Sequence, residues 1–212
     1  PDNLQSIGEV IPLVIQDRMF DSTGQLFFPA DSAGNVLWTP NAEHPYWVPE
    51  FVGDTIVVNG KAWPFLEVQP KRYRFLFLNG SNARTYEMFL TNKTNTAPAP
   101  KIWVIGNDGG YLDAPVGLKK LVMMPGERYE VIIDFANVPL GTNLVLTNTA
   151  KTPFPAGAAP QGATLGQIMQ FRVNKQLVEI DNSYSPASGV PLRSGANKMV
   201  RLPSTAAVTR QL

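Results

Sequence analysis

Residues 51–90, FVGDTIVVNGKAWPFLEVQPKRYRFLFLNGSNARTYEMFL, decide the fold. Ile56, Val57 and Val58 form a β-branched run. Asn59-Gly60 follows, the dipeptide suited to a two-residue type I′ hairpin turn because both central positions need positive φ. Residues 65–68 continue extended, and Gln69-Pro70-Lys71 turns the chain again. Tyr73, Phe75 and Phe77 then alternate with Arg74, Leu76 and Leu78, the period of two that marks a strand with one face on a core. Asn79-Gly80-Ser81-Asn82 interrupts the pattern and residues 85–90 resume it. Four consecutive short strands fit this stretch.

Outward from it, the same texture continues. Residues 10–15 are a nearly continuous apolar run, which predicts a central strand covered on both faces. Pro12 removes a ladder donor, so it either starts that strand or marks an edge. Asp17-Arg18 closes it, residues 21–24 turn, and residues 26–28 read as a second short strand. Residues 29–50 are long, irregular and rich in Pro, Asn, Gly and Ala; they hold Trp38, Tyr46, Trp47 and the only histidine, His44. Loops of this length are uncommon in compact domains and are often functional or interfacial. Their aromatics face either a neighbouring domain or ligand, or the loop's own core.

Further strands are predicted at 101–106, 118–123, 128–135, 142–147 and 168–173. Turns fall at 107–110 and at Pro125-Gly126. Tyr129, Val131 and Ile133 share one strand face. Residues 150–166 form a second long loop, dense in Pro, Ala and Gly. Short strands with turns every 8–12 residues or so, and no amphipathic helix, define an all-β Greek-key β-sandwich with long loops. The expected division is a lead-in at 1–9, a sandwich domain at 10–174, and an extended C-terminal linker at 175–212. Residues 208–212 read as the first residues of a further strand. The chain opens on Pro1-Asp2-Asn3 without an initiator Met or signal peptide, so it reads as a processed or excised piece.

Composition narrows the chemistry. An apolar fraction of 44% supports a sizeable core, and 17 Gly with 19 Pro signal many turns. Net charge is +1, and the mixed Lys71-Arg72-Tyr73-Arg74 places Arg74 on a solvated strand face, so no nucleic-acid footprint is expected. No stretch approaches the ~18 apolar residues of a membrane span. The absence of cysteine removes disulfides, cysteine nucleophiles and the thiolate of a blue-copper centre. His44 alone makes no imidazole cluster.

Asp108 and Asp113 flank a glycine turn that lacks the oxygen spacing of a calcium loop, and local backbone hydrogen bonding is the economical reading. Glu67, Glu87, Glu127, Glu130, Asp108 and Asp134 offer no pair converging in a cleft as glycoside hydrolysis requires; Glu127 suits a turn or an ion pair. Nucleophile-elbow, dinucleotide and Walker patterns are missing. Met123-Met124 is expected to point one residue inward and one outward. Asn79-Gly80-Ser81 and Asn92-Lys93-Thr94 are formal glycosylation sequons. Two classes remain open on residues alone: a stand-alone β-sandwich ligand- or glycan-binding module presenting Trp38, Trp47 or Tyr111, and a hydrolase using Asp108.

Several phrases also fall in the order and spacing of one family. They are Pro12-Leu13-Val14-Ile15-Gln16-Asp17-Arg18, Val58-Asn59-Gly60-Lys61-Ala62-Trp63-Pro64, Arg72-Tyr73-Arg74-Phe75, Asn82-Ala83-Arg84-Thr85-Tyr86 and Pro125-Gly126-Glu127-Arg128-Tyr129. Over most of the sandwich domain the chain resembles the central cupredoxin domain of a multicopper oxidase of the spore-coat laccase, bilirubin oxidase and phenoxazinone synthase type.

The resemblance implies a parent with three cupredoxin domains, copper ligands in the first and third, and a copper-free second domain that joins them. This chain would then carry no cofactor and no oxidase activity of its own. Its partners would be the first and third domains, and copper would sit there. The parent would oxidise phenols, bilirubin-like pigments or metal ions, reduce dioxygen to water, and be extracytoplasmic (secreted, periplasmic or spore coat). Family analogy places the 150–166 loop, with Thr152, Pro153, Phe154 and Pro155, on a substrate pocket near the type 1 copper. It makes the loop of Trp38, His44 and Trp47 an interdomain contact. Thr209-Arg210-Gln211-Leu212 resembles the start of the third domain's first strand.

Overall fold

A computed structural model describes residues 10–28, 51–203, 205 and 208. In chain order its strands are β1 (Val10–Arg18), β2 (Thr55–Val58), β3 (Lys61–Ala62), β4 (Phe65–Val68), β5 (Arg72–Asn79), β6 (Tyr86–Asn92), β7 (Ile102–Asn107), β8 (Gly110–Leu118), β9 (Leu121–Met123), β10 (Arg128–Asp134), β11 (Thr142–Asn148) and β12 (Gln167–Val173). They form a seven-stranded sheet, β3-β2-β1-β5-β10-β7-β8, and a five-stranded sheet, β4-β12-β11-β6-β9. The expected all-β, cupredoxin-like sandwich is the observed fold.

The alternation in β5 works as read. Tyr73, Phe75 and Phe77 are buried between the sheets while Leu76 is exposed. Phe75 meets Phe171 of β12 at 5.4 Å between ring centroids, and Phe135 meets the same ring at 5.5 Å. Tilted aromatic contacts of this kind add to the area term that holds two sheets face to face. Asn59 and Gly60 take φ of 50° and 82°, as a type I′ turn requires.

Three expectations change. β1 is buried on one face only: Leu13, Ile15 and Asp17 point inward and Val10 and Pro12 outward. Pro12 neither starts the strand nor lies on a sheet edge. β2 pairs only with residues 15–18, while β5 pairs with residues 10–15. Beyond the end of β2 the Asn59 side chain takes over, accepting from Val14 N–H at 2.8 Å and donating to the Pro12 carbonyl at 2.8 Å. The proline's missing N–H falls where β2 has stopped.

Residues 118–123 are not one strand. Leu118 ends β8 in the larger sheet and Leu121 starts β9 in the smaller one. β8 hides in the sequence GYLDAPVGL because Pro115 and Gly117 break the strand pattern, and it is tolerated because β8 is an edge strand. Residues 26–28 form no strand; Leu26 makes only an isolated bridge to Phe20.

The polar segment after β12 packs on the outer face of the larger sheet. Tyr184 and Leu192 are buried against Ile105 and Ile132, beside Trp103 and Tyr111. That cover is why Ile132, between the inward Val131 and Ile133, is also buried. Arg72 moors the segment: its backbone N–H and its guanidinium donate to Asp181, and Nε donates to Ser183 Oγ at 3.0 Å.

Candidate functional site

The site grows from one turn. At the end of β5 Asn79 is buried, and its side chain fixes the loop that follows. Its Oδ1 accepts from Ser81 N–H at 3.0 Å, and its Nδ2 donates to the carbonyls of Arg84 and Met123 at 2.9 and 3.1 Å. Burial and these bonds leave the Asn79 sequon unavailable for glycosylation in the folded chain. The turn delivers Arg84 to the interior with no exposed side-chain surface.

A buried guanidinium is costly unless its charge and donors are met, and here three partners from three segments meet them. Nε donates to Asp17 Oδ2 of β1 at 2.9 Å, Nη2 to the Gly53 carbonyl at 2.7 Å, and Nη1 to Thr152 Oγ1 at 2.9 Å. Gly53 N–H closes the circuit by donating to Asp17 Oδ2 at 2.7 Å. A Cβ on Gly53 would lie 2.5 Å from the Arg18 carbonyl oxygen, so only glycine brings that backbone this close.

Asp17 N–H donates to Ser81 Oγ, which also meets the Tyr86 hydroxyl at 2.9 Å. Burial first, and the Asp17 carboxylate second, push the Tyr86 hydroxyl well above its ordinary value, so it stays protonated.

Arg84 also lines a cavity of about 430 Å³. Val52, Ala83, Thr85 and Met124 line it as well, together with the stretch Lys151, Thr152, Pro153, Phe154 and Pro155. That stretch opens a closed loop. Thr152 and Ala158 exchange backbone hydrogen bonds at 2.9 Å, and Gly157 N–H donates to the Pro153 carbonyl at 2.7 Å. The Thr152-Pro153 and Phe154-Pro155 bonds are cis. Met124 is exposed where Met123 is buried, the in-and-out pair expected, and its sulfur accepts from the Thr85 hydroxyl at 3.2 Å.

Thus Thr152, Pro153, Phe154 and Pro155 lie together on one cavity wall. Trp38, His44 and Trp47 fall outside the described residues. Sequence reasoning missed Arg84, Asp17, Val52 and Met124. An arginine in a loop between strands reads as solvated, and only the fold brings Asp17 and Gly53 to it.

The remaining candidates have local duties. Asp108 receives Arg128 Nε at 2.8 Å and its backbone N–H at 3.2 Å, and Glu127 receives Met124 N–H at 2.6 Å, a turn role. Tyr111 donates to Glu130 at 3.1 Å and accepts from Arg74, which also pairs with Glu130. Arg74 is therefore largely covered rather than solvated.

The multicopper oxidase family model matches residues 38–161, more than half of the chain. The chain belongs to the multicopper oxidase family. A laccase of Bacillus subtilis is 40% identical over 176 residues, covering 83% of this chain and 32% of the laccase. Multicopper oxidase LPR1 of Arabidopsis thaliana is 39% identical over 78% of this chain and 26% of that protein. Among solved structures, the McoA multicopper oxidase of Aquifex aeolicus superposes with a TM-score of 0.65 at 31% identity, over 90% of this chain and 37% of that one. The chain thus spans about a third of the length of the relatives it matches.

Copper, which the family uses, does not fit the described residues. Among them no three His, Cys, Asp or Glu side chains come together, and the buried carboxylate of the site, Asp17, has its Oδ2 taken by Arg84 and Gly53. The whole sequence holds no cysteine and one histidine, short of the two imidazoles and one thiolate of a blue-copper centre.

Proposed function

We propose that this chain is the copper-free central domain of a three-domain laccase-like oxidase, and that it holds the copper-bearing first and third domains in register. The observation that carries this reading is the combination of family membership with a donor set that builds no copper site. Electron transfer between coppers in different domains needs a fixed geometry, and a sandwich with continuous aromatic packing between its sheets is a stiff spacer. Residues 175–212 serve as the connection to the next domain, and the parent oxidises phenols or similar reductants while reducing dioxygen.

Within that frame the cavity lined by residues 151–155 is one wall of the reductant pocket. Its apolar surfaces, Val52, Met124, Phe154 and Pro155, suit an aromatic ring, and the buried charge of Arg84 is neutralised by Asp17.

The sequence on either side of this chain tests the reading. Histidine-rich copper motifs are expected on both sides, with a cysteine between histidines in the downstream domain. Flanking sequence without such motifs rules the spacer role out and returns the free-standing binding module to first place.

A further inference from the structure

Arg84 does more in this geometry than fill a buried position. Its guanidinium is fixed from behind by Asp17 and Gly53, at 2.9 and 2.7 Å. Its remaining nitrogen, Nη1, reaches forward to Thr152 Oγ1 at 2.9 Å. Thr152 opens the loop that closes on Ala158 and carries Phe154 and Pro155, which line the cavity. The bond therefore joins two of the segments that line the cavity, the one holding Arg84 and the loop that Thr152 opens.

Two close approaches hold the ends of this linkage. Gly53 meets the Arg18 backbone, and a Cβ on Gly157 would lie 2.0 Å from the Thr152 carbonyl oxygen.

We infer that Arg84 is the positioning residue of this wall, and that through Thr152 it sets the width of the cavity and so which aromatic reductant fits. The inference rests on the reading of the cavity as a reductant pocket. Arg84 acts through Thr152 and takes no part in electron transfer.

The test uses the full copper-loaded oxidase that contains this chain, with guaiacol as the reductant and three variants. Phe154→Ala tests the pocket reading, Thr152→Val removes the acceptor of the Arg84 bond, and Thr152→Ser keeps it. Misplacing a binding wall weakens a bound state more than it alters the chemical step. Thr152→Val is therefore expected to raise KM by about five- to tenfold with a smaller change in kcat, and Thr152→Ser is expected to restore most of it.

A second readout is independent of turnover: amide exchange at Gly157 and Ala158 accelerates by about tenfold in Thr152→Val and not in Thr152→Ser. If Phe154→Ala shifts KM but Thr152→Val leaves both KM and exchange at wild-type values, the positioning role is overturned. If Phe154→Ala leaves KM unchanged, or wild-type enzyme does not turn over guaiacol, the pocket reading itself is overturned and the width argument falls with it.

Discussion

At the residue scale the chain turns on a buried ion pair. Asp17 and Arg84 have no exposed side-chain surface, and pairs of this kind are weak evidence for net stability, because desolvation offsets the attraction. What they do is make one arrangement unique: Arg84 donates at once to Asp17 of β1, to the Gly53 carbonyl and to Thr152 of the cavity lining. Breaking the pair from one side leaves a bare charge. Arg84→Met is expected to cost about 3–5 kcal/mol, measured by urea unfolding of the chain, and adding Asp17→Asn is expected to return part of that loss. Strict additivity of the two substitutions would contradict a coupled pair.

Gly157 makes a second residue-scale prediction. With a Cβ destined to sit 2.0 Å from a carbonyl oxygen, Gly157→Ala must move the 152–158 loop. At least about 2 kcal/mol of destabilisation is expected, with heteronuclear NMR shifts confined to that loop and the cavity. A spectrum matching wild type there would contradict the close approach.

At the element scale, legibility followed chemistry. β5 and β10 were readable because large apolar residues recur at every second position, Tyr73, Phe75 and Phe77 in one and Tyr129, Val131 and Ile133 in the other. The hairpin between β2 and β3 was readable because Asn-Gly has few other uses. β8 was not readable. Its Pro115 and Gly117 look like loop residues, and only its edge position, with Gly117 leaving room for the Trp103 ring, makes them strand residues. The Pro12 problem had the same origin: the sequence announces a missing donor but not where the neighbouring strand stops.

Asn59 resolves that problem, and Asn59→Ala tests it. The substitution loses positive-φ tolerance and two side-chain hydrogen bonds, for an expected loss of about 1–2 kcal/mol in thermal or urea unfolding. Asn59→Asp, which keeps only the acceptor, should fall between.

The segment over Ile105 and Ile132 was legible only as polar chain, because its two anchors, Tyr184 and Leu192, are isolated among Ser, Pro and Gly. Its mooring carries a pH signature. Burial alone would raise the Asp181 carboxyl, but hydrogen bonds from Ser183 and the Arg72 backbone, with the Arg72 charge, outweigh it and hold it below its ordinary value. A depressed carboxyl contributes stability above its unfolded value and loses it as pH falls through the folded value. The protection factor of the Leu192 amide, whose N–H donates to the Asp113 carbonyl at 2.8 Å, is expected to be constant near neutrality and to fall below about pH 4. Asp181→Asn should show the lower protection at all pH values; an unchanged profile would contradict the mooring.

At the scale of the whole molecule, family resemblance pointed to Thr152, Pro153, Phe154 and Pro155, and these four line a cavity; its reading as a reductant pocket is a proposal. The other lining residues were invisible in the sequence, since Val52, Arg84 and Met124 come from segments far apart in the chain and become neighbours only when the two sheets close. Cysteine and histidine counts, by contrast, needed no fold to speak against a blue-copper centre.

In the proposed role this domain positions copper held in other domains and binds none itself. Titration of the purified, folded chain with cuprous and cupric ions, followed by metal analysis after desalting and by visible absorbance, is the decisive measurement. Substoichiometric copper and no intense blue band are expected. One tightly retained copper per chain, with or without the thiolate-type colour, would contradict that role.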